Sequence, residues 1–143
     1  MPEPARIITE ARSWIGTPYR HQASLKGVGC DCLGLLGSVW RAVVGAEPEA
    51  VPPYAADWAE AGGSEALLAA ARRHLIAIDD WEPGDVLLFR WRAGHPAKHC
   101  AIATGPDRMV HAHEGACVAE IAVRPWWRRH LGHAFRFPAA GPG

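Results

Sequence analysis

Three side chains in this sequence are of the types that carry out nucleophilic catalysis, namely Cys32, His99 and His111. Cys32 stands where a loop containing Gly27 and Gly29 passes into an apolar helical pattern. The unpaired N–H groups and positive dipole end of a first helical turn favour an anion, so a thiol here is predicted to ionise readily. The histidines are candidates for the base that moves the thiol proton and for the residue that orients that base. The residue types therefore indicate a cysteine nucleophile, with its own backbone N–H as the natural oxyanion donor.

The N-terminal half of the chain, which must present Cys32, is predicted to be helical. Apolar residues recur at helical spacing in three segments, and glycine or proline interrupts the pattern between them. Tyr19 opens the loop before Cys32 and is a second candidate oxyanion donor. The predicted helices span residues 4–15, 32–44 and 64–74, the last capped by Ser64, and the predicted loops span 19–29 and 46–54.

The C-terminal half, which carries both histidines, is predicted to form consecutive antiparallel strands. Gly105-Pro106-Asp107 and Glu114-Gly115 separate short apolar segments, as hairpin turns do. The predicted strands span 86–89, 99–104, 108–113, 116–123 and 134–137, with one helical turn at 126–130. Helices followed by a meander indicate an α+β fold, with the helices packed on one face or end of the sheet. His99 and His111 are then expected side by side on one face, with the helix start of Cys32 packed against it.

Length and charge restrict the classes of protein that need to be considered. The chain has 143 residues, of which 49% are hydrophobic, and this predicts one domain over 1–143 with an unstructured tail at 138–143. Residues 1–85 hold seven basic and twelve acidic side chains, whereas residues 86–143 hold eight and three. The charges balance overall, so we read them as two faces of one domain and expect no nucleic-acid partner.

Targeting and redox signals are also weak in this sequence. The N-terminus lacks a basic segment followed by an apolar core, and no apolar run is long enough to cross a bilayer. We therefore expect a protein made in the cytoplasm without a signal peptide and without membrane insertion. Four cysteines in a chain of this length do not form a disulfide scaffold, so a reducing compartment is expected.

A zinc site is the main chemical alternative to a cysteine nucleophile. Its possible ligands are Cys30, Cys32, His95, His99, Cys100, His111 and His113. No pair of Cys-x₂-Cys knuckles is present, and a helix start is a poor position for two ligands. We therefore predict no metal and no cofactor, and interpret the cysteines other than Cys32 as space-filling and His113 as a surface or loop residue.

Several ordered motifs together resemble the NlpC/p60 family of cell-wall cysteine peptidases. They are Trp14-Ile15-Gly16-Thr17-Pro18-Tyr19, Asp31-Cys32-Leu33-Gly34-Leu35 and Pro83-Gly84-Asp85-Val86-Leu87-Leu88-Phe89, followed by His99 and His111. The resemblance implies a papain-like fold, with N-terminal helices packed on a C-terminal antiparallel barrel-like sheet. It further implies that Cys32 is the nucleophile, His99 the general base and His111 the third polar residue, while Tyr19 and Asp31 line the substrate cleft.

The family resemblance also implies a reaction. Members typically hydrolyse peptidoglycan stem peptides at the amide between D-γ-glutamyl and a diamino acid such as meso-diaminopimelate, through a thioester and without a cofactor. Two positions depart from the usual pattern: Leu33 replaces a serine that helps hold a free amino terminus, and Cys100-Ala101 replaces Val-Gly after the base. The first departure questions a preference for stems with a free L-alanine amine, and the second is expected to be neutral.

The biological setting is predicted from the same resemblance. With neither signal peptide nor wall-binding repeats, the chain looks like the stand-alone members found among phage and gene-transfer-agent tail proteins. Tail-tip or baseplate proteins are then the expected partners, and cell-wall penetration is the expected role. Two alternatives stay open: a structural tail-tip component with the same fold, and an amidase or acyltransferase with an apolar acyl channel beside Cys32.

Overall fold

A computed structural model describes residues 2–48, 66–92, 94–113 and 115–139. This described part contains the helices α1 (Pro4–Arg12), α2 (Cys32–Val43), α3 (Ala66–His74) and α4 (Pro125–His130). Its strands are β1 (Ser24–Leu25), β2 (Gly29–Cys30), β3 (Ile76–Ile78), β4 (Val86–Phe89), β5 (His99–Gly105), β6 (Arg108–Ala112), β7 (Val118–Ala122) and β8 (Leu131–Arg136).

The eight strands form a small hairpin and one large antiparallel sheet. In the large sheet the strand order is β3-β8-β4-β5-β6-β7, while β1 pairs with β2 in a separate two-stranded sheet. Strands β4 to β7 are therefore the predicted meander, and each pairs antiparallel with the next. The last strand, β8, returns to lie between β3 and β4. Helices first and an antiparallel sheet afterwards confirm the predicted α+β fold.

Side chains on successive residues of the sheet alternate between two packed faces. One face contributes Val86, Leu88, Cys100, Ile102, Val110 and Val118 to a core shared with α1, α2 and α3. The other face carries Leu87, Phe89, Ala101, Ala103 and Met109 beneath Trp127 and Trp81. By this alternation His99 and His111 belong to the second face, opposite the one that α2 covers. The body of α2 thus covers the opposite face, while the start of α2 packs against the beginning of β5 beside His99, as expected.

The predicted elements differ from the observed ones mainly at their ends. Helix α1 stops at Arg12 instead of residue 15, because Trp14 and Ile15 donate N–H bonds to carbonyls three residues back and Gly16 adopts φ +92°. The hairpin β1–β2 lies inside the predicted loop 19–29. Strand β3 was not predicted, since three residues carry too short a pattern, and β8 begins at Leu131 instead of Ala134.

Other predicted boundaries agree closely with the structure. Strand β4 is as predicted, and the ends of β5, β6 and β7 differ from the prediction by at most two residues. The described residues do not include Ser64, residues 49–54 of the predicted loop or residues 140–143 of the predicted tail.

Among the helices described, none combines the length and apolar character that a bilayer span requires.

Candidate active site

Cys32 is the first residue of α2, and Asp31 caps that helix. The Asp31 carboxylate accepts one hydrogen bond from the N–H of Gly34 at 2.8 Å and another from the N–H of Gln22 at 2.7 Å. Gly34 permits a close approach of the preceding loop, since a Cβ on this residue would collide with the carbonyl oxygen of Ala23. The cap and the glycine together fix the helix start. Cys32 is thereby held at the positive end of the α2 dipole, as the sequence predicts.

The thiol of Cys32 lies where α2 meets the beginning of β5. Its Sγ is 3.8 Å from the carbonyl oxygen of Lys98, and Sγ of Cys100 lies 3.2 Å from the backbone carbonyl oxygen of Cys32. The pKa of Cys32 is well below its ordinary value. A hydrogen bond from the Cys100 thiol is the largest cause, and a hydrogen bond and positive charge from His99 add to it against the opposing effect of burial. Cys32 is thus a buried thiol that favours the thiolate.

His99 and His111 form a hydrogen-bonded pair across the neighbouring strands β5 and β6. Nε2 of His99 lies 3.0 Å from Nδ1 of His111, and both rings are buried. Because an imidazole has only two nitrogen atoms, this bond leaves Nδ1 of His99 to face Cys32. The expectation that the two histidines lie side by side on one face is confirmed. The three side chains are therefore connected in the order Cys32, His99, His111.

His111 is suited to accept a hydrogen bond and not to carry a charge. Burial, followed by the positive charges of His99 and His113, lowers the pKa of His111 to about 3. Its ring is consequently neutral at neutral pH, and its Nδ1 lone pair can accept the Nε2–H of His99. A neutral acceptor fixes the tautomer and the orientation of the His99 ring, which is the role of the third residue in a nucleophile–base–orienter arrangement.

Aromatic rings pack against the histidine pair. Trp91 stacks on His99 at a centroid distance of 5.3 Å, and Trp127 lies 5.6 Å from His99 and 5.2 Å from His111. Trp127 is itself held by an edge contact with Phe89 at 5.0 Å. The rings exclude water from the His99–His111 hydrogen bond, which strengthens it electrostatically.

Tyr19 and Asp31 occupy different environments. Tyr19 is half-buried against the core, and its backbone bridges to Cys30 next to the α2 start. Asp31 is 2% exposed, and its carboxylate oxygens accept backbone N–H bonds. The structure thus assigns Asp31 a capping role, and substrate binding by these two residues stays a prediction.

Three residues near the site were not assigned a role from the sequence. Cys100 was interpreted as a neutral packing residue, yet its thiol contacts Cys32. Trp127 and His113 carry no sequence signal of proximity to His99, although the one-residue spacing of His111 and His113 places both on one face of an extended segment. Cys117, also interpreted as space-filling, is exposed.

The fold and these side chains define a papain-like α+β domain with a cysteine–histidine pair at the junction of a helix and a sheet. The family model for NlpC/P60 matches residues 16–136. This match covers most of the chain and includes Cys32, His99 and His111. The chain therefore belongs to the NlpC/P60 family.

Two characterised relatives share this region of sequence. The chain is 28% identical over 133 residues to the murein DD-endopeptidase MepS/murein LD-carboxypeptidase of Escherichia coli strain K12, covering 92% of this chain and 62% of that protein. It is also 28% identical over 107 residues to the gamma-D-glutamyl-L-lysine dipeptidyl-peptidase of Bacillus subtilis strain 168, covering 74% of this chain and 31% of that protein. The chain thus spans about three fifths of the first relative and about a third of the second.

Solved structures show the same fold. The NlpC/p60 domain of the peptidoglycan hydrolase SagA superposes with a TM-score of 0.63 at 25% identity, covering 94% of this chain and 99% of that domain. An NlpC/P60 family protein from Bacillus cereus ATCC 10987 superposes with a TM-score of 0.68 at 20% identity, covering 95% of this chain and 40% of that one. These similarities confirm the predicted papain-like NlpC fold.

Proposed function

We propose that this protein is a cysteine endopeptidase that hydrolyses peptidoglycan stem peptides, at the amide between D-γ-glutamyl and meso-diaminopimelate. The observation that carries the proposal is the connected arrangement of Cys32, His99 and His111, with a lowered pKa at the thiol and a neutral acceptor behind the base. Family membership supports the reaction class. The names of the relatives, a murein DD-endopeptidase/murein LD-carboxypeptidase and a gamma-D-glutamyl-L-lysine dipeptidyl-peptidase, support peptidoglycan as the substrate class, and the second name supports cleavage after D-γ-glutamyl.

The first half of the proposed reaction forms a thioester. The Cys32 thiolate attacks the γ-carbonyl carbon, and the backbone N–H of Cys32 donates a hydrogen bond to the developing oxyanion, an interaction worth about 3 kcal/mol in comparable sites. His99 then transfers the proton on Nδ1 to the amine nitrogen of the leaving diaminopimelate. The C–N bond breaks, and the γ-glutamyl group remains on sulfur.

The second half of the proposed reaction releases the acyl group. Nδ1 of His99, now unprotonated, takes a proton from a water molecule as the water oxygen attacks the thioester carbon. The C–S bond breaks, and the thiolate and the His99 imidazolium are restored. His111 remains a neutral acceptor throughout and keeps Nδ1 of His99 directed at the reacting atoms.

Analysis of released fragments tests the proposal directly. Purified diaminopimelate-type peptidoglycan is incubated with the wild-type protein and with Cys32→Ala, and the soluble products are identified by mass spectrometry. Fragments ending at D-glutamate, released by the wild type alone, are expected. Release of such fragments by Cys32→Ala as well would contradict the mechanism. No release by a folded wild type would favour the structural alternative.

An apolar cavity bears on the acyltransferase alternative. A cavity of about 120 Å³ lies between α2 and α3, and Leu33, Leu36, Trp40 and Leu67 are among the residues that line it. Ligand pockets typically enclose about 300–1,000 Å³, so this cavity is small for an acyl chain. Cys32 is not among the described residues that line it. We therefore favour hydrolysis, and an acyl group of lipid type trapped on Cys32 would reverse that choice.

We further propose that the activity serves cell-wall penetration by a phage-like tail. The resemblance to family members found among phage and gene-transfer-agent tail proteins supports this role, and Trp126, which is 44% exposed, offers an aromatic contact for a tail-tip or baseplate protein. Purified particles from producing cells are expected to contain the chain. Its recovery from the cytosol with none in the particles would overturn this part of the proposal.

A further inference from the structure

Three imidazole rings gather at one end of β5 and β6: those of His99, His111 and His113. One nitrogen atom from each ring lies within 4.8 Å of the nitrogen atoms offered by the other two. The ring centroids are 5.2 Å apart for His99–His111, 5.4 Å for His111–His113 and 6.2 Å for His99–His113. We propose that these side chains form a three-histidine site for a divalent transition-metal ion such as Zn²⁺, and that the bound ion reversibly inhibits the proposed hydrolase.

Strand geometry brings the rings together. His111 and His113 are separated by one residue, so their side chains point to the same face of an extended segment. Strand β5 pairs with β6 so that Ile102 lies opposite Val110, and continuing this register by three residues brings His99 opposite His113. His111 on β6, His113 just beyond the end of β6 and His99 on the neighbouring strand thus bring three nitrogen atoms close together. Three histidines with an open fourth position are an established zinc-binding set.

The distances require only a modest adjustment to hold an ion. Two nitrogen ligands of a tetrahedral zinc ion with Zn–N bonds of about 2.0–2.1 Å lie about 3.3 Å apart. Nε2 of His99 and Nδ1 of His111 are already 3.0 Å apart, with one proton shared between them. The ion would replace that proton, which passes to solvent. His113 is exposed at the rim, so rotation of its side chain can supply the third nitrogen.

The surroundings favour a nitrogen-liganded ion over a thiolate-bound one. Trp127 contacts all three rings, at centroid distances of 5.6, 5.2 and 6.3 Å, and so restricts their orientations. Cys32 faces Nδ1 of His99, on the opposite edge of the ring from Nε2, and is therefore not in position to share the ion. Imidazole ligands suit Zn²⁺, Cu²⁺ and Ni²⁺.

Inhibition follows from the part of the site that the ion would occupy, and this step rests on the proposed function. An imidazole bound to metal through Nε2 keeps its proton on Nδ1 and has no free lone pair there. His99 would then be unable to accept the proton of the water that attacks the thioester. Removing the metal restores the lone pair, so inhibition is expected to be reversible by a chelator.

The binding test compares the chelator-treated wild type with His113→Ala and, as a matched control, His130→Ala, which removes a histidine on α4 outside the cluster. Isothermal titration with Zn²⁺ is expected to give one site in the wild type and in His130→Ala. Loss of outer-shell partners of metal ligands already weakens binding about 10–100-fold, so His113→Ala should weaken it at least about tenfold. Equal affinity in all three proteins, or no binding by the wild type, would overturn the site.

Two further measurements complete the test. With Co²⁺, visible bands of a tetrahedral nitrogen site are expected, whereas a sulfur-to-cobalt charge-transfer band would make Cys32 a ligand and overturn the assignment. In peptidoglycan hydrolysis, Zn²⁺ should inhibit the wild type, and His113→Ala should keep its metal-free activity while requiring at least about tenfold more Zn²⁺ for inhibition. Failure of the proposed function would appear as inactivity of the metal-free wild type, independently of the titration.

Discussion

Nε2 of His99 and Nδ1 of His111 lie 3.0 Å apart, and this contact determines which nitrogen of His99 faces Cys32. The pKa of His111, lowered to about 3 chiefly by burial, keeps that ring neutral. A neutral His111 ring with its proton on Nε2 accepts through Nδ1, and His99 then donates its Nε2–H. Burial of the second histidine thus keeps the ring that faces the base neutral and able to accept.

Replacement of His111 should separate its orienting role from a structural one. In His111→Gln the side-chain amide oxygen can still accept the Nε2–H of His99, so a loss of about tenfold in kcat/KM is expected, whereas His99→Ala should lose about 10²–10⁴-fold. Steady-state kinetics on a soluble stem peptide measures both. If His111→Gln lost as much as His99→Ala while thermal unfolding was unchanged, the accepting role assigned to His111 would be wrong.

Replacement of Cys32 should abolish hydrolysis without unfolding the protein. Cys32 lies at the first position of α2, and the Asp31 cap and Gly34 hold the helix start without its thiol. Cys32→Ala is expected to retain the circular dichroism spectrum and the Tm of the wild type to within a few degrees. Cys32→Ser is the matched control for size, and it should be as inactive as the alanine variant because a serine hydroxyl does not ionise at this site.

Much of the fold was predictable because its strongest signals are local. The periodic apolar residues of α2 and the apolar segment of β4 are long or continuous enough to identify the element directly. Strand β8 was placed only in part, since Leu131-Gly132-His133 has no strand pattern of its own and is stabilised by pairing with β4. Strand β3 depends in the same way on pairing with β8. These elements follow from tertiary contacts that no window of sequence contains.

The candidate site was predictable to a similar degree. Cys32 and the two histidines carry signals of residue type and spacing, and the structure brings them together. The contact between Cys100 and Cys32 depends on how α2 packs against β5, 68 residues apart along the chain. Trp127 approaches the histidines from α4 through the same kind of long-range packing. Side chains that modify the site thus cannot be identified from the sequence, because their contacts depend on how the helices pack against the sheet.

Asp85 should contribute to stability through an ion pair in which its own carboxylate is buried and Arg136 is partly exposed. Arg136 donates two hydrogen bonds of 2.9 Å to the Asp85 carboxylate, whose side chain is 3% exposed. Asp85→Asn is expected to lower the free energy of unfolding by about 1.5–3 kcal/mol, as loss of a hydrogen-bonded charge does. The exposed pair of Arg128 and Asp107 is the control, and Asp107→Asn should change stability by less than about 1 kcal/mol. Denaturant unfolding with equal effects for both variants would contradict this assignment.

Cys100 is expected to set the reactivity of the nucleophile. Its pKa is raised by its hydrogen bond to Cys32 and by burial, so it remains a thiol next to the Cys32 thiolate. It is also buried against the backbone carbonyl of Cys32. The family's more usual valine at this position could fill the space but could not donate a hydrogen bond.

Cys100→Val should therefore raise the pKa of Cys32, because it removes the largest effect that stabilises the thiolate. Below that pKa the thiolate fraction falls, so the midpoint of the pH profile for alkylation of Cys32 should move to higher pH, and alkylation at pH 6 should slow. Iodoacetamide labelling followed by mass spectrometry of the Cys32 peptide measures this rate. Cys117→Val, which replaces an exposed cysteine, is the control and should leave the profile unchanged. An unshifted midpoint in a folded Cys100→Val protein would leave His99 and the α2 dipole as the groups that activate Cys32.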